Sequence, residues 1–240
     1  MTFSIRNTAD FHERCSLQCQ WTRELRSFLL KKLLRTSSFL RILEVGCGSG
    51  AVYEALCEEF SGSFSYIGVD ISPDELTYFS LHHPKVPILR GNGELLPFSS
   101  GSFDFVFCQY VLLWSENPQW LLREMKRVTR RGGICAAMAE PDYTQIVAAG
   151  GNLPQLIQAQ RKKLCGQGAR SDAGGRLLEW FADVGFNGFS VRMYDRNVLK
   201  GRALRSEAEW LAKDCGFSRS LSLPECAVLS VPTFFAYAIV

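Results

Sequence analysis

Apolar residues recur at Leu17, Trp21, Leu25, Phe28/Leu29 and Leu33, in steps of three and four that predict one amphipathic helix from Leu17 to Leu34. After it the rhythm changes to short apolar runs. Phe39 to Val45, Phe64 to Val69, Val86 to Leu89, Phe103 to Tyr110 and Ile134 to Ala139 read as strands. Between them, Ala51 to Phe60, a segment opening at Ser72-Pro73-Asp74-Glu75 and a segment opening at Pro118 read as helices. The last carries Leu121, Leu122, Met125 and Val128 on one face, and Gly132-Gly133 is expected to stop it. Five strands alternating with helices predict a doubly wound α/β fold, a parallel sheet covered on both faces.

Beyond Glu140 the pattern loosens. Leu153 to Leu164 reads as an extra helix, and Leu177, Leu178, Phe181 and Val184 as another helical stripe closed by Gly185. Gly188 to Tyr194 is strand-like, Ser206-Glu207-Ala208-Glu209 has capping-box spacing before a helix ending at Gly216, and Thr233 to Val240 is a closing strand.

Composition narrows the class. At 240 residues with 47% hydrophobic and 21% charged, the chain is neither disordered nor fibrous. A formal charge of +3 does not point to a nucleic-acid or membrane partner, and the run Arg123, Lys126, Arg127, Arg130, Arg131 reads as a solvated helix face. Nine cysteines without a CxxC pair fit neither a zinc ribbon nor a disulfide framework. They predict reduced thiols filling the core of a cytoplasmic protein without a metal site. The opening MTFSIRNTADFHERC has no apolar core of a secretory signal, and no apolar stretch reaches 18 residues.

The most informative segment is Ile42-Leu43-Glu44-Val45-Gly46-Cys47-Gly48-Ser49-Gly50, a strand running into glycines where a helix begins. Glycine there permits positive φ and lets a ligand approach the backbone. The spacing is GxGxG, which disfavours the GxGxxG of a nicotinamide dehydrogenase, and no GxxxxGK[ST] supports a nucleoside-triphosphate cradle. The strand Tyr66-Ile67-Gly68-Val69 then ends in Asp70, an acid placed to accept from a ribose hydroxyl pair.

These residues resemble class I S-adenosylmethionine-dependent methyltransferases. Glu44 to Gly50 is similar to their first motif and Gly68-Val-Asp-Ile-Ser72 to their second. Arg90-Gly-Asn-Gly-Glu-Leu-Leu-Pro-Phe98, with Ser102-Phe-Asp-Phe-Val106, resembles the small-molecule branch. The likeness spans roughly residues 35 to 145 and implies a Rossmann-like, mostly parallel seven-stranded sheet with S-adenosylmethionine as cofactor. It also implies Glu44, Gly46, Cys47 and Gly48 around the methionine part, Asp70 on the ribose and Ile71 against adenine, with Asn92, Gly93, Glu94 and Gln109 completing the cofactor site. Asn92 stands where the family usually has Asp and Gly93 where it usually has Ala.

Methyl transfer from a sulfonium is an in-line displacement, so positioning and water exclusion matter most. A base is needed only if the acceptor must lose a proton. Ligands of doubly wound sheets sit beyond the carboxyl ends of the strands, which nominates Gln109, Tyr110 and Trp114 after the fourth strand and Glu140, Asp142 and Tyr143 after the fifth. Glu140 or Asp142 is the expected base, with His12 as a further catalytic candidate if the first helix reaches the site. Trp21 and Arg23 are expected to face inward, Arg23 toward the methionine carboxylate.

The domain reading is a single unit: an N-terminal helical lid over residues 1–35, a cofactor half over 36–140, and substrate-side insertions and closing strands over 141–240. The expected partner is a small, partly apolar methyl acceptor rather than nucleic acid or membrane. Two alternatives stay open, a nucleic-acid methyltransferase and a non-catalytic S-adenosylmethionine-binding sensor. Against the first, Cys108-Gln-Tyr-Val111 lacks the Asn/Asp-Pro-Pro-aromatic signature that grips a flipped base.

Overall fold

The computed structural model describes residues 8–35, 37–194 and 198–240. Its elements run α1 (Thr8–Trp21), α2 (Arg23–Leu34), β1 (Phe39–Val45), α3 (Ala51–Glu59), β2 (Ser63–Asp70), α4 (Pro73–His82), β3 (Ile88–Arg90) and β4 (Phe103–Cys108). A 3-10 turn at Leu112–Trp114 precedes α5 (Pro118–Val128), β5 (Thr129–Pro141), β6 (Val147–Ala149), α6 (Leu153–Gly166) and α7 (Ala173–Asp183). The chain closes with β7 (Ser190–Met193), β8 (Val198–Leu199), α8 (Gly201–Cys215), β9 (Val228–Ser230) and β10 (Thr233–Ile239).

Seven strands form one sheet in the order β3-β2-β1-β4-β5-β10-β7. The first five are parallel, while β10 runs antiparallel to both β5 and β7. Alternate strand residues feed two cores because successive side chains leave a strand on opposite faces. Leu43, Val45, Val106 and Cys108 pack on the face carrying α5 and α7, and Ile42, Phe105, Phe107 and Ala136 on the face carrying α2, α3 and α4. Cys19, Cys47, Cys108 and Cys135 are buried core fillers, whereas Cys57, Cys165 and Cys226 are exposed, so the expected core role holds for only part of the set.

The N-terminal helix differs from its sequence pattern. It breaks at Thr22, which has φ −95° and ψ 0°. The Cys19 carbonyl accepts from the Thr22 hydroxyl (3.1 Å) and from Arg26 Nη2 (2.9 Å), so side chains take the place of the helical amide. Leu17, Trp21 and Phe28 are left exposed, and α2 buries Leu25, Leu29, Leu30 and Leu33 instead. The expected lid of residues 1–35 therefore divides: α2 is core, α1 covers the sheet edge, and residues 1–7 lie outside the described residues.

Two other boundaries move. Gly132-Gly133 does not separate α5 from the next strand, because β5 starts at Thr129, directly after the helix. The pair instead sits where β4–β5 register slips between Phe103↔Thr129 and Phe105↔Ile134. A Cβ on Gly133 would lie 2.8 Å from the Asp104 carbonyl, so the bulge depends on glycine there. At the other end, α8 begins five residues before the capping-box pattern, leaving Glu207 in the middle of the helix.

The basic run is also engaged. Arg127 donates to the Leu96 and Phe98 carbonyls and to Glu124, Lys126 to the Val184 and Gly185 carbonyls, and Arg130 to Asp104. A third hydrophobic cluster joins α6, α8 and a small sheet in the order β6-β9-β8, whose strands the sequence pattern does not predict. This unit rises beyond the carboxyl end of β5. No helix among the described residues is long and apolar enough to cross a membrane.

Candidate functional site

Because β1, β2, β4 and β5 are parallel, their carboxyl ends meet at one edge of the sheet. Gly46 (φ +77°), Gly48 (φ +49°) and Gly50 (φ +94°) turn the chain there from β1 into α3. A Cβ on Gly46 would sit 2.3 Å from a Val111 methyl, whereas one on Gly48 would meet nothing within 4 Å. The first glycine thus permits close packing, and the second opens backbone to the space in front of the loop.

Asp70 fastens this loop to the neighbouring strand. Its carboxylate accepts from Gly48 N (2.7 Å) and from Ser72 N (2.8 Å), one bond per oxygen. Burial pushes this carboxyl above the ordinary aspartate value, and the Ser72, Gly48 and Ile71 amides hold that rise back. Each oxygen keeps acceptor capacity for a further donor. Ile71 beside it is 61% exposed, an apolar side chain open to a flat partner.

Other residues expected at this site have varied positions. Buried Glu44 turns toward Tyr66, whose hydroxyl donates to it at 2.5 Å, and burial lifts the Glu44 carboxyl to about 8. Cys47 is buried, and burial raises its thiol well above the ordinary value. Asn92 is exposed and accepts from Glu94 N (2.9 Å), while Glu94 accepts from the Ser115 hydroxyl and from Asn117 N. A Cβ on Gly93 would lie 2.5 Å from a Val45 methyl, which explains glycine where alanine is usual. Gln109 accepts from the Thr22 hydroxyl (3.0 Å) and so ties the α1–α2 break to the end of β4.

Helix α1 roofs the edge. His12 bridges Ser49 Oγ (3.0 Å, through Nδ1) and Glu54 (3.1 Å, through Nε2), with its ring 5.0 Å from that of Tyr78. It thereby sits over the glycine loop, away from the residues after β5. Arg23 does not turn inward: its side chain is 67% exposed and lies 3.8 Å from Glu59 at the far end of α3. The inward guanidinium on this side is Arg14. It pairs with Glu207 at 2.7 Å and lies 3.6 Å from the Trp210 ring centroid, joining α1 to α8.

Next to the roof is a small cleft of about 40 Å³. Arg14, Trp21, Tyr110, Tyr143, Gln160 and Glu207 are among its walls, with Leu211 and Leu229 giving it an apolar side. Tyr110 has φ +57°, the one described non-glycine residue with positive φ. Such backbone costs about 1–3 kcal/mol and gathers at functional sites. Burial raises the Tyr143 phenol to about 12, so near neutral pH the hydroxyl stays protonated and is able to donate. Trp114 packs against the main core instead of lining the cleft.

The two expected bases have structural partners. Fully buried Glu140 accepts from Val111 N, Leu112 N and Leu113 N at 2.9, 2.9 and 3.1 Å, capping the 3-10 turn that carries the chain past Tyr110. Burial lifts its carboxyl to about 7 against those three bonds. Asp142 accepts from Thr144 N, the Thr144 hydroxyl and Gln145 Nε2, closing the turn after β5. Both hold loops in place and neither lines the cleft. The sequence reading missed Arg14, Gln160 and Glu207. A weak signal existed on α1, where Arg14, Gln18 and Trp21 follow one another at helical spacing and all three line the cleft.

Residues 43–137 match the family model described as a methyltransferase domain. An uncharacterized protein of Methanocaldococcus jannaschii is 39% identical over 94 residues, 39% of this chain and 41% of that protein. The malonyl-[acyl-carrier protein] O-methyltransferase of Hahella chejuensis is 31% identical over 40% of this chain and 36% of its own length. The chain thus spans less than half the length of these curated relatives. In fold, it superposes on Haemonchus contortus phosphoethanolamine N-methyltransferase 2, solved with S-adenosyl-L-methionine, with TM-score 0.57 and 15% identity. That match covers 89% of this chain and 52% of the other.

Proposed function

We propose, taking as premise that this chain belongs to the class I S-adenosylmethionine-dependent methyltransferases, that it moves a methyl group from that cofactor to a small, partly apolar acceptor. One observation carries the reading: the glycine loop after β1 and the cleft beyond β4 and β5 open at the same sheet edge under one roof, α1. The cradle fits the cofactor. The space before Gly48 admits a ligand against the backbone, Asp70 has acceptor capacity for a ribose diol, and exposed Ile71 offers a surface for adenine. Asn92, Gly93 and Glu94 belong to the rim of the adenine end.

When bound, S-adenosylmethionine supplies an electrophilic sulfonium methyl. The protein's part is to orient the acceptor and exclude water. His12 keeps α1 down on the loop, and Glu140 shapes the turn that presents Tyr110. Tyr110 and Tyr143 hold the acceptor from two sides of the cleft, and Trp21 helps to wall it. In this reading Glu140, Asp142 and His12 are positioning residues, and Tyr143 acts as a hydrogen-bond donor.

Isothermal titration with S-adenosylmethionine and S-adenosylhomocysteine tests the premise, and absence of binding by both overturns it. Incubation with methyl-labelled cofactor and a metabolite extract tests turnover. Label in a small-molecule product is the expected result. Label in added RNA instead supports the nucleic-acid alternative, and binding without transfer to either supports a sensor.

A further inference from the structure

The cleft under the roof is shut. At about 40 Å³ it has room for water and none for a metabolite. Three of its walls, Arg14, Gln18 and Trp21, belong to α1, while Tyr110 and Tyr143 pack on the main core and Leu211 and Leu229 sit within the third cluster. Helix α1 is the wall with the least apolar anchoring. Of its fourteen residues Cys19 alone is buried, next to the break at Thr22, whereas α2 buries five of twelve. Segments with few buried apolar contacts open locally at low cost while the rest of the fold stays intact.

What holds α1 down is polar and comes from two sides. Helix positions two apart point about 200° from each other, and His12 and Arg14 use that divergence. His12 faces the cofactor loop, bonding Ser49 Oγ at 3.0 Å and Glu54 at 3.1 Å, and the second Glu54 oxygen is 2.7 Å from His83 Nε2, which keeps the carboxylate aimed. Arg14 faces α8, donating to Glu207 at 2.7 Å with the Trp210 ring centroid 3.6 Å away. Its Nε is buried without a hydrogen-bond partner among the described residues, so this latch leaves a donor idle. The Asp10–Lys213 pair (2.5 Å) is well exposed and adds little. Movement has a fixed pivot: the Thr22 hydroxyl is within hydrogen-bond distance of the Cys19 carbonyl and of Gln109, and Arg26 holds the same carbonyl from inside the core. The turns before Cys19 can swing while α2 stays.

We propose that α1 is a gate hinged at Thr22, with His12 and Arg14 as positioning residues that latch it to the cofactor loop and to α8, so that cofactor exchange and acceptor entry wait on a single movement. Releasing either latch frees the same helix. A change at Arg14, on the α8 side, therefore reaches the cofactor through α1. The gate rests on the methyltransferase reading for the identity of the ligand behind it, and the movement itself is measurable in the empty protein.

The test uses the full chain with S-adenosylhomocysteine as the probe. A gate scales entry and exit together, whereas a lost ligand contact speeds exit alone. In Arg14→Met, and in Glu207→Gln as the variant that spares the core should the first fold poorly, stopped-flow tryptophan fluorescence is expected to show association and dissociation rate constants both raised at least about fivefold, with Kd within about twofold. His12→Ala is expected to raise both in the same way. In the empty protein, the amides of residues 8–19 are expected to exchange hydrogen at least about fivefold faster in these variants, with those of residues 23–34 unchanged. Rate constants unmoved in both Arg14→Met and Glu207→Gln overturn the gate, and so does a rise in dissociation alone or exchange that accelerates equally in both segments. If S-adenosylhomocysteine does not bind the unmodified protein, the methyltransferase reading falls, and the exchange comparison still decides the gate.

Discussion

The glycine loop and the cleft beside it are built in opposite ways. The loop is made by main chain: Gly46 to Gly50 follow one another, and Asp70, at the end of the adjacent strand, binds two backbone amides. The cleft is made by side chains from positions as far apart as 14, 110, 160 and 207. A backbone cradle tolerates little change in residue type because it needs particular φ values and the absence of Cβ atoms. A side-chain cleft can be rewritten one residue at a time on the same frame, which is how one fold takes different acceptors.

The largest effect is expected where the roof is tied to the core. Arg26 is fully buried and pairs with Glu59 (2.7 Å) while also donating to the Cys19 carbonyl and to Thr22. Arg26→Ala strands that carboxylate and frees the α1–α2 break, and it is expected to cost about 3–5 kcal/mol, read from the urea midpoint. Gly46→Ala comes next. The added methyl would meet Val111 at 2.3 Å on backbone with φ +77°, at a cost of roughly 3 kcal/mol. If Gly46→Ala keeps full stability and S-adenosylhomocysteine affinity, the idea of a strict backbone cradle fails.

Glu140→Gln sharpens the contrast from the cleft side. The amide cannot serve three N–H donors as the carboxylate does, so a loss of about 1–3 kcal/mol is expected. Its turnover should fall with the stability of the Tyr110 turn, with no displaced basic limb in the pH–rate profile. An activity loss that follows a titration near pH 7 at unchanged stability would instead make Glu140 a proton acceptor. Asp70→Ala is expected to weaken cofactor binding at least about tenfold, roughly 1.4 kcal/mol, measured by titration with S-adenosylhomocysteine.

A pH dependence completes the set. Burial raises Glu44 from 4.5 to about 8, with the Tyr66 hydrogen bond and Arg26 opposing. A carboxyl that holds its proton longer when folded stabilises most below about pH 4.5, and that stability drains away as pH rises toward 8. Glu140, lifted to about 7, acts in the same sense. Glu44→Gln should therefore flatten part of the fall in urea midpoint between pH 5 and pH 8, and an unchanged slope would mean that Glu44 ionises in the folded protein at its ordinary value.

How much was readable follows the same division. The strands β1, β2 and β4, the Ser72 cap with Pro73 behind it, and the loop with its acid all follow from short-range rules of period, cap and turn. The pattern at Leu17, Trp21 and Phe28 misled because a helical stripe records spacing and not which side the core lies on. Buried Arg26 and the carbonyl of Cys19 broke that helix at a place where period alone saw continuity. The sequence pattern pointed to Arg23 as the inward cation and not to Arg14; with the helix broken at Thr22, Arg23 stays exposed beside Glu59 and Arg14 meets Glu207.

By itself, the sequence determined the parallel core, the GxGxG turn and the acid beyond it, since each depends on residues close in the chain and on backbone freedoms that only certain residue types possess. The tertiary structure alone decided which carboxylates are spent on holding loops, that Arg14 meets Glu207 across 193 positions, and which side chains line the cleft. Those are outcomes of distant segments competing for the same hydrogen bonds, and neighbouring residues in the chain carry no record of that competition.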